Sequence, residues 1–259
     1  MSDRLGELTA GFSPVDLEEV DRRAALQRRV DQKYLVTPDT LRSLLRSMRS
    51  DHDILEIDGR RAFDYESTYF DTPSLECFRE HIENRRPRYK ARTRCYVDTG
   101  SCFFEVKVKR VDGETVKRHL EQDPADRGEI PPAGQRLLSE TLAECEVPTA
   151  GERLEPTLVT RFRRVTLAGA EQPQRITVDF DIELDARGAG SVGIGDRHAV
   201  IETKTPEGDG PCDRRLAELG AEPISLSKYR LGIGMLRASD DDGYAPEVKE
   251  KFSRSAVAG

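Results

Sequence analysis

Two neighbouring stretches near the middle of the chain, 88–97 and 102–110, alternate polar and apolar residues with a period of two. Successive side chains of a β-strand point to opposite faces, so this period predicts two strands that are each apolar on one side. Asp-Thr-Gly-Ser at 98–101 predicts the turn of a hairpin between them. One face of the first strand carries a cation at every second position, namely at Arg88, Lys90, Arg92 and Arg94.

The second strand places Glu105, Lys107 and Lys109 on one face, beside these cations. Like charges on one face repel unless an anion or acidic neighbours compensate them, so the pattern favours a phosphate-type ligand. Arginine forks bind phosphate oxygens in a bidentate manner, and lysine supplies a point charge. We interpret Glu105 as a salt-bridge residue in preference to a metal ligand.

Other periodic segments extend the picture to an α+β fold. Strands are predicted at 30–36, 64–70, 116–120, 156–167, 174–184 and 199–204. Helices are predicted at 14–28, 37–48, 75–82, 135–144 and 211–219, a turn at 188–195, and a last helix or strand at 227–236. About eight antiparallel strands could form an open sheet with a charged face or close into a barrel with a charged lumen and flanking helices. Closure accounts better for the number of charged positions on one face.

Composition limits the classes of partner. The chain has 259 residues, 34% of them charged, and a formal net charge of −7, so a global basic field for nucleic acid is absent. No apolar segment approaches the roughly 20 residues of a membrane-spanning helix, and the first residues lack an apolar signal region. We therefore expect a cytoplasmic protein whose five cysteines are reduced thiols, although Cys95 and Cys102 could flank the hairpin turn.

Further strands carry charges in the same alternating manner. Lys33 follows Arg29 and Asp31 on one face, and Arg161 and Arg163 share a face opposite Arg164. Arg175 and Asp179 alternate with apolar residues, as do Glu202 and Lys204. Carboxylates beside cations are the arrangement in which a hard divalent ion bridges to phosphate oxygens. Structural salt bridges are the competing interpretation.

Seven of these segments, taken together and in order, resemble the VTC domain of the CYTH-like triphosphate tunnel superfamily over residues 27–236. They are Arg-Val-Asp-Gln-Lys-Tyr at 29–34, Thr-Tyr-Phe-Asp-Thr-Pro at 68–73, Arg-Tyr-Lys-Ala-Arg-Thr-Arg at 88–94, Phe-Phe-Glu-Val-Lys at 103–107, Arg-Ile-Thr-Val-Asp at 175–179, Val-Ile-Glu-Thr-Lys at 200–204 and Ser-Lys-Tyr-Arg-Leu-Gly at 227–232. The superfamily's N-terminal Glu-x-Glu-x-Lys is present as Arg29-x-Asp31-x-Lys33. This departure disfavours a simple triphosphatase, and it disfavours an adenylyl cyclase.

The resemblance implies a tunnel domain over 27–237, between an N-terminal helical segment, 1–26, and a disordered tail, 238–259. It implies phosphoryl transfer from ATP to polyphosphate in a cationic tunnel. The catalytic residues it implies are Lys33, Arg92, Arg94, Lys107, Lys204 and Lys228. The further phosphate-binding residues are Lys90, Lys109, Arg161, Arg163 and Arg175, with Arg164 as an alternative register. Glu202, with Asp179 as a second ligand, would bind Mn2+ or Mg2+.

Three alternatives remain open at this stage. With water as the acceptor, the same site would be an inorganic or nucleoside triphosphatase. A non-catalytic module that binds polyphosphate or inositol phosphates would keep the cations without metal chemistry. A surface-assembly accessory protein is a further class.

Overall fold

The structure is a computed structural model that describes residues 2–23, 29–148, 153–195, 197–237 and 246–254. The chain divides into two compact units. Unit 1 comprises Met1–Phe63, Phe162–Ile182 and Ile194–Leu226, and unit 2 comprises Asp64–Arg161, Glu183–Gly193 and Ser227–Gly259. None of the helices formed by the described residues has the length and apolar character needed to cross a membrane.

Unit 1 begins with short elements that lead into a strand and a well-capped helix. Its first elements are α1 (Ser2–Thr9), β1 (Ser13–Val15), α2 (Leu17–Arg23), β2 (Val30–Val36), α3 (Pro38–Ser47) and β3 (His52–Leu55). Its last complete elements are β11 (Ala199–Thr205) and α6 (Pro211–Glu218). Helix α3 starts as predicted, with Thr37 accepting a hydrogen bond from the backbone N–H of Thr40 and Pro38 in the first turn.

Unit 2 consists mainly of antiparallel strands with helices beside them. Its elements are β4 (Phe63–Asp71), α4 (Glu76–Ile82), β5 (Arg88–Tyr96), β6 (Ser101–Lys109), β7 (Thr115–Gln122), a short 3-10 helix (Pro124–Asp126), α5 (Pro132–Glu144), β10 (Gly190–Gly193), α7 (Lys228–Leu236), α8 (Pro246–Lys249) and β12 (Ser253–Arg254). Two long strands, β8 (Glu155–Gly169) and β9 (Arg175–Ala186), run through both units.

The strands pair in two paths. Within unit 2 the order is β12-β10-β9-β8-β4-β5-β6-β7. Within unit 1, β1 pairs with β3 in parallel, β3 pairs with β8, and β9 pairs with β11, which pairs with β2. The predicted α+β class with a large antiparallel sheet is confirmed. Among the described residues, neither hydrogen-bonded path closes into a ring, so the pairing itself does not show the closed barrel that the charge pattern favoured.

Each unit has its own apolar core. In unit 1, Leu41, Leu44 and Leu45 of α3 pack with the inward residues of β2, β9 and β11, as their helical spacing predicts. In unit 2 the core lies between one face of β5 and β6 and helix α5. Its main residues on the strands are Tyr89, Ala91, Phe104, Val106 and Val108.

Several predicted boundaries are corrected by local chemistry. The helix predicted at 14–28 is strand β1 followed by α2, because Asp16 accepts a hydrogen bond from the backbone N–H of Glu19 and starts the helix there. Residues 24–28 lie outside the described part. The glycine-rich segment 188–195, predicted as a turn, contains β10, whose Val192 is buried opposite Leu184.

The cysteines and the C-terminal tail also depart from expectation. Cys95 and Cys102 are not reduced thiols but form a disulfide across the β5–β6 hairpin, where their Cα atoms lie 4.0 Å apart in directly paired positions. Cys77, Cys145 and Cys212 are free and buried. Within the tail predicted to be disordered, helix α8 and strand β12 are ordered, and β12 pairs with β10. Residues 238–245 and 255–259 lie outside the described part.

A glycine controls the turn between β8 and β9, so we expect Gly169→Ala to lower the stability of the fold. A Cβ at this position would lie 2.3 Å from the backbone carbonyl oxygen of Gln172, an atom that cannot move without opening the turn. The expected loss is about 1–3 kcal/mol, measured as the free energy of unfolding in urea. Gly128→Ala is the control, because its Cβ would meet nothing within 4 Å. Equal stability of the two variants would contradict this account.

Candidate functional site

The polar face of β4, β5, β6 and β7 in unit 2 includes three adjacent cross-strand rows. The strand registers define them as Ser67–Arg94–Phe103–Glu121, Tyr69–Arg92–Glu105–His119 and Lys90–Lys107–Lys117, and the row Arg88–Lys109–Thr115 follows the last of them. We call this surface the cationic face. The opposite sides of the same strands bury the unit 2 core, so the alternation predicted for 88–97 and 102–110 is confirmed.

Glu105 lies between two cations on the cationic face. One of its carboxylate oxygens accepts a hydrogen bond from Arg92 Nε at 2.8 Å, and the other pairs with Lys117 Nζ at 2.7 Å. Burial would raise the pKa of Glu105, but the charges of Arg92, Arg94 and Lys117 lower it well below the usual range. Glu105 is therefore a salt-bridge residue, as the sequence favoured.

The neighbouring row consists of three lysines, in which Lys90 faces Lys107 and Lys107 faces Lys117, the partner of Glu105. Like charges in directly opposed positions destabilise a sheet by on the order of 1 kcal/mol per pair. Lys90 Nζ lies 3.2 Å from His81 Nε2 on α4 and donates a hydrogen bond to Ser227 Oγ at 3.1 Å. These two contacts position the Lys90 side chain.

Tyr69 lies at the point where the cations of unit 2 converge. Its hydroxyl accepts a hydrogen bond from Arg92 at 2.9 Å, and its ring stacks on Tyr229 of α7 with centroids 5.0 Å apart. Burial raises the pKa of the Tyr69 hydroxyl, yet surrounding cations lower the pKa overall. The cations responsible are Arg92, Arg94 and Lys228. The strand pair and α7 thus contribute positive charge to one locality.

Asp71 fixes the two helices that border this locality. Its carboxylate accepts hydrogen bonds from the backbone N–H groups of Cys77 and Phe78 at the start of α4, at 2.9 and 3.0 Å. It also accepts a hydrogen bond from the Tyr229 hydroxyl of α7. One buried carboxylate therefore positions both His81 on α4 and Lys228 on α7.

Two predicted phosphate-binding residues of unit 2 have other contacts. Lys109 donates to the backbone carbonyl of Gly113 in the β6–β7 turn. Arg161 donates to Glu66 at 2.9 Å and lies 3.7 Å from Asp185. Glu66 projects from the side of β4 opposite Tyr69, so Arg161 is not on the cationic face.

In unit 1 a second polar face crosses β2, β11 and β9, again in rows. The registers give Lys33–Glu202–Thr177 and Asp31–Lys204–Arg175. Glu202 Oε1 lies 3.8 Å from Lys204 Nζ, and Arg175 pairs with Asp21 of α2 at 2.9 Å. Positive and negative charges alternate here, so this face is close to balanced, unlike the row through Lys90.

Arg164 belongs to the unit 1 face and Arg163 does not. Arg164 donates to both oxygens of Asp179, at 2.6 and 2.8 Å. The Arg163 guanidinium lies 5.3 Å from the centroid of the Phe180 ring, and Phe180 belongs to the unit 1 core. The structure thus favours the alternative register, in which Arg164 takes the place expected of Arg163.

The carboxylates of unit 1 fit a divalent ion only in part. Both oxygens of Asp179 are engaged by Arg164, and no group of three or more His, Cys, Asp or Glu that could hold a metal occurs among the described residues. Burial would raise the pKa of Glu202, but Lys204, Lys33 and Arg164 lower it to about 2. The buried Thr177 hydroxyl in the same row has no hydrogen-bond partner among the described residues. These residues fit an ion held mainly by phosphate oxygens and by Glu202.

The pKa of Lys204 is lowered to about 8, first by burial, which outweighs the opposing effects of Glu202 and Asp31. Lys204 therefore titrates closer to neutral pH than a surface lysine does. An anion placed beside it would restore its charge.

Sequence reasoning missed four residues of these sites. Tyr69 and Ser227 lie within motifs that the sequence singled out, but nothing in their spacing gave them a role. Lys117 could have been found, because Thr115, Lys117 and His119 alternate with Val116 and Arg118. His81 gave no signal, since its approach to Lys90 depends on how α4 packs.

The comparisons with known proteins concern most of the chain. The family model described as the VTC domain matches residues 28–237. No curated protein matches the chain. Among solved structures, a candidate adenylyl cyclase from Hippeastrum, described as having a dominant triphosphatase activity, is 17% identical with a TM-score of 0.51. The alignment covers 82% of this chain and 97% of the Hippeastrum protein.

A candidate adenylate cyclase from Bacillus halodurans is 12% identical with a TM-score of 0.47, over 77% of this chain and 94% of that protein. The likeness to the Hippeastrum protein shows the fold. The resemblance to the VTC domain inferred from the sequence is confirmed by the family model.

His81 provides a test of the charge on the cationic face. Its pKa is lowered to about 3, first by burial and then by the neighbouring cations Lys90, Arg88, Arg230 and Lys107. We expect Lys90→Met to raise the pKa of His81, measured by NMR titration of the imidazole. Arg118→Met is the control, because Arg118 lies on the opposite face of β7 and pairs with Glu144. An unchanged pKa in Lys90→Met would contradict the described position of Lys90.

The same shift has a consequence for stability. The pKa of His81 in the folded chain lies below the unfolded value of about 6.5, so the unfolded chain binds more protons. Its contribution to stability is present above about pH 6.5 and is lost as the pH falls towards 3. Over this interval, the free energy of unfolding should fall less steeply in Lys90→Met than in the unmodified chain.

Proposed function

The chain belongs to the VTC domain family, and on that premise we propose that it transfers phosphoryl groups from ATP to the end of a polyphosphate chain. The observation that carries the proposal is the cross-strand row in which Lys90, Lys107 and Lys117 occupy directly paired positions. A sheet that opposes like charges gains stability when a polyanion lies across them. A linear chain of phosphoryl groups has the required charge density.

The cationic face would act by neutralising charge as it develops. In phosphoryl transfer, negative charge spreads over the oxygens of the transferred group, and catalysis consists largely of positioning and electrostatic stabilisation. Arg92 and Arg94 present planar forks that match phosphate oxygens, while Lys107 and Lys228 supply point charges. The acceptor phosphate is itself a nucleophile, so the chain needs no strong general base.

Arg92 is held in place before any ligand binds. Glu105 and the Tyr69 hydroxyl both contact its guanidinium, and these contacts fix its orientation at the cost of part of its charge. In the next row, Lys90 and Lys107 occupy directly paired positions. We therefore assign Arg92 to orientation of the polyanion, and Lys90 and Lys107 to most of the net attraction.

In unit 1, the residues for which we propose phosphate contacts are Lys33, Lys204 and Arg164. Glu202 would hold a divalent ion, Mn2+ or Mg2+, together with oxygens of the nucleotide. When bound, such an ion supplies positive charge at the phosphate oxygens. Lys33 and Lys204 keep Glu202 ionised, and an ionised carboxylate is the form that coordinates.

Triphosphate hydrolysis is the second candidate function. It is favoured by the likeness to the Hippeastrum protein, which is described as a triphosphatase. The two reactions differ only in whether water or a phosphate attacks, so the same cationic face serves both. A binding module without catalysis would retain the cations and lose turnover.

The deciding experiment uses the purified chain with ATP and Mn2+ or Mg2+. ADP, acid-stable polymer and free phosphate are followed together. Polymer that grows as ADP is released supports the proposed function. Free phosphate without polymer supports the triphosphatase. Tight binding of polyphosphate with no turnover would contradict both enzymatic functions.

We expect Lys107→Gln to weaken binding of inorganic tripolyphosphate about tenfold, equivalent to about 1.4 kcal/mol, because it removes the central charge from the row of directly paired lysines. Isothermal titration calorimetry measures the affinity. The control is Arg118→Gln, which removes a cation from the neighbouring strand on the opposite face. If both variants bind as tightly as the unmodified chain, the cationic face is not the binding surface.

We expect Glu202→Gln to raise the Mn2+ concentration that gives half-maximal turnover by about 10–100-fold, since the neutral amide keeps the shape and loses the charge. Asp21→Asn is the control, because it removes a carboxylate that pairs with Arg175 from the same unit. An unchanged Mn2+ dependence in Glu202→Gln would remove Glu202 from the metal site.

A further inference from the structure

Two buried hydroxyl groups in unit 2 have no hydrogen-bond partner among the described residues. They belong to Ser67 on β4 and Thr160 on β8, and each residue is only 1% exposed. Burying a hydroxyl without a partner costs free energy, so such groups are rare in folded proteins and require a reason. One reason is a ligand that completes them.

The other hydroxyls of this part of the molecule show that partners can be found. Thr157 donates to the backbone carbonyl of Tyr69 at 3.2 Å, Thr93 to that of Arg127 at 2.6 Å, and Thr141 to that of Leu137 at 2.6 Å. All three threonines are as deeply buried as Ser67. The missing partners of Ser67 and Thr160 are therefore a local feature and do not follow from burial alone.

The register places Ser67 on the cationic face. It is the direct cross-strand neighbour of Arg94, one row away from the pair of Tyr69 and Arg92. The serine side chain is short, so its hydroxyl lies closer to the sheet backbone than the ends of the long side chains around it. A ligand oxygen bound by Arg94 would therefore lie above the Ser67 hydroxyl.

Two contacts place Thr160 beside Ser67. Arg161 donates to the carboxylate of Glu66, and Thr157 donates to the carbonyl of Tyr69. These two contacts show that β4 and β8 run antiparallel here, with Glu66 near Arg161 and Tyr69 near Thr157. Thr160 therefore lies across from Ser67. Arg161 shares a face with Glu66, and the next residue along each strand points to the other face. Thr160 and Ser67 thus share the face of Arg94.

We propose that Ser67 and Thr160 form a neutral subsite that donates two hydrogen bonds to a non-bridging oxygen of the phosphoryl group held by Arg94. The inference rests on the proposed function and adds a specific recognition element to it. Movement of the long Arg94 side chain with the anion gives the oxygen access to the hydroxyls. Charge attracts any polyanion, whereas two aligned donors select one whose oxygens occupy this position.

Neutral donors and cations respond differently to salt, and this difference supplies the test. Attraction between charges is screened as ionic strength rises, while a hydrogen bond between a hydroxyl and an oxygen is much less affected. Inorganic tripolyphosphate is titrated calorimetrically into the full chain at several NaCl concentrations. The variants are Ser67→Ala, Thr160→Val and Arg94→Gln, with Thr93→Val as the matched control on the opposite face.

We expect Ser67→Ala and Thr160→Val each to weaken binding about five- to tenfold at every salt concentration, with the dependence of affinity on salt unchanged. Their thermal midpoints should stay equal or rise, because each loses an unsatisfied buried group. Arg94→Gln should make affinity less dependent on salt. Thr93→Val should lower the thermal midpoint without changing affinity, since its hydroxyl is already paired. Thr160→Ser, which keeps the donor, should retain affinity even if Thr160→Val folds poorly.

Three results would overturn the inference. If the unmodified chain binds tripolyphosphate and the Ser67 and Thr160 variants bind equally well, the subsite does not exist and the proposed function stands. A lower midpoint with unchanged affinity would assign the hydroxyls to the fold instead. If the unmodified chain binds no tripolyphosphate at any salt concentration, the proposed function fails together with the subsite.

Discussion

Strands β5 and β6 cannot bury their apolar residues without holding their cations on a common surface. Tyr89, Ala91, Phe104, Val106 and Val108 pack into the unit 2 core, and the pleat then directs the alternate residues to the other side. A shift of one residue would place charges against α5, so the repulsion cannot be relieved by changing register. The other residues of the candidate site compensate or position these cations. Glu105 compensates one row, and neutral partners on α4 and α7 position Lys90 in the next.

The two units deal with charge in different ways. In unit 1, Arg164 and Asp179 form a buried pair, and Glu202 is surrounded by lysines, so the polar face is nearly neutral. Removing one member of a buried ion pair costs several kcal/mol, which makes this face sensitive to substitution even where no ligand is touched. On the cationic face of unit 2, cations outnumber carboxylates. Under the proposed function, attraction of the polyanion would therefore depend mainly on unit 2, and local control of ionisation mainly on unit 1.

Much of this arrangement could be predicted from period and motif. The alternation at 88–97 gave the right strand and the right face, and Thr37 with Pro38 gave the start of α3. The register of the arginines on β8 could not be fixed from the sequence. Arg163 and Arg164 are adjacent, so either could share a face with the carboxylates, and only the contact of Arg164 with Asp179 on β9 distinguishes them. The phosphate-binding role of each stays a prediction. His81 and Ser227 could not be found, because their roles arise where helices meet strands. β10 was missed because glycines obscured its alternation.

The disulfide between Cys95 and Cys102 lies on the side of the hairpin away from the cations, one pair before Tyr96 and Ser101, the last paired positions before the turn. A covalent bond at that position holds the two strands in one register even if the residues of the turn change. Residues 97–100 can then vary in length or composition without shifting Arg94 relative to Phe103 or Lys90 relative to Lys107. The hairpin tip is thereby separated from the binding surface as a region open to insertion. A peptide tag or reporter placed there would extend from the molecule and leave the alignment of the cations intact.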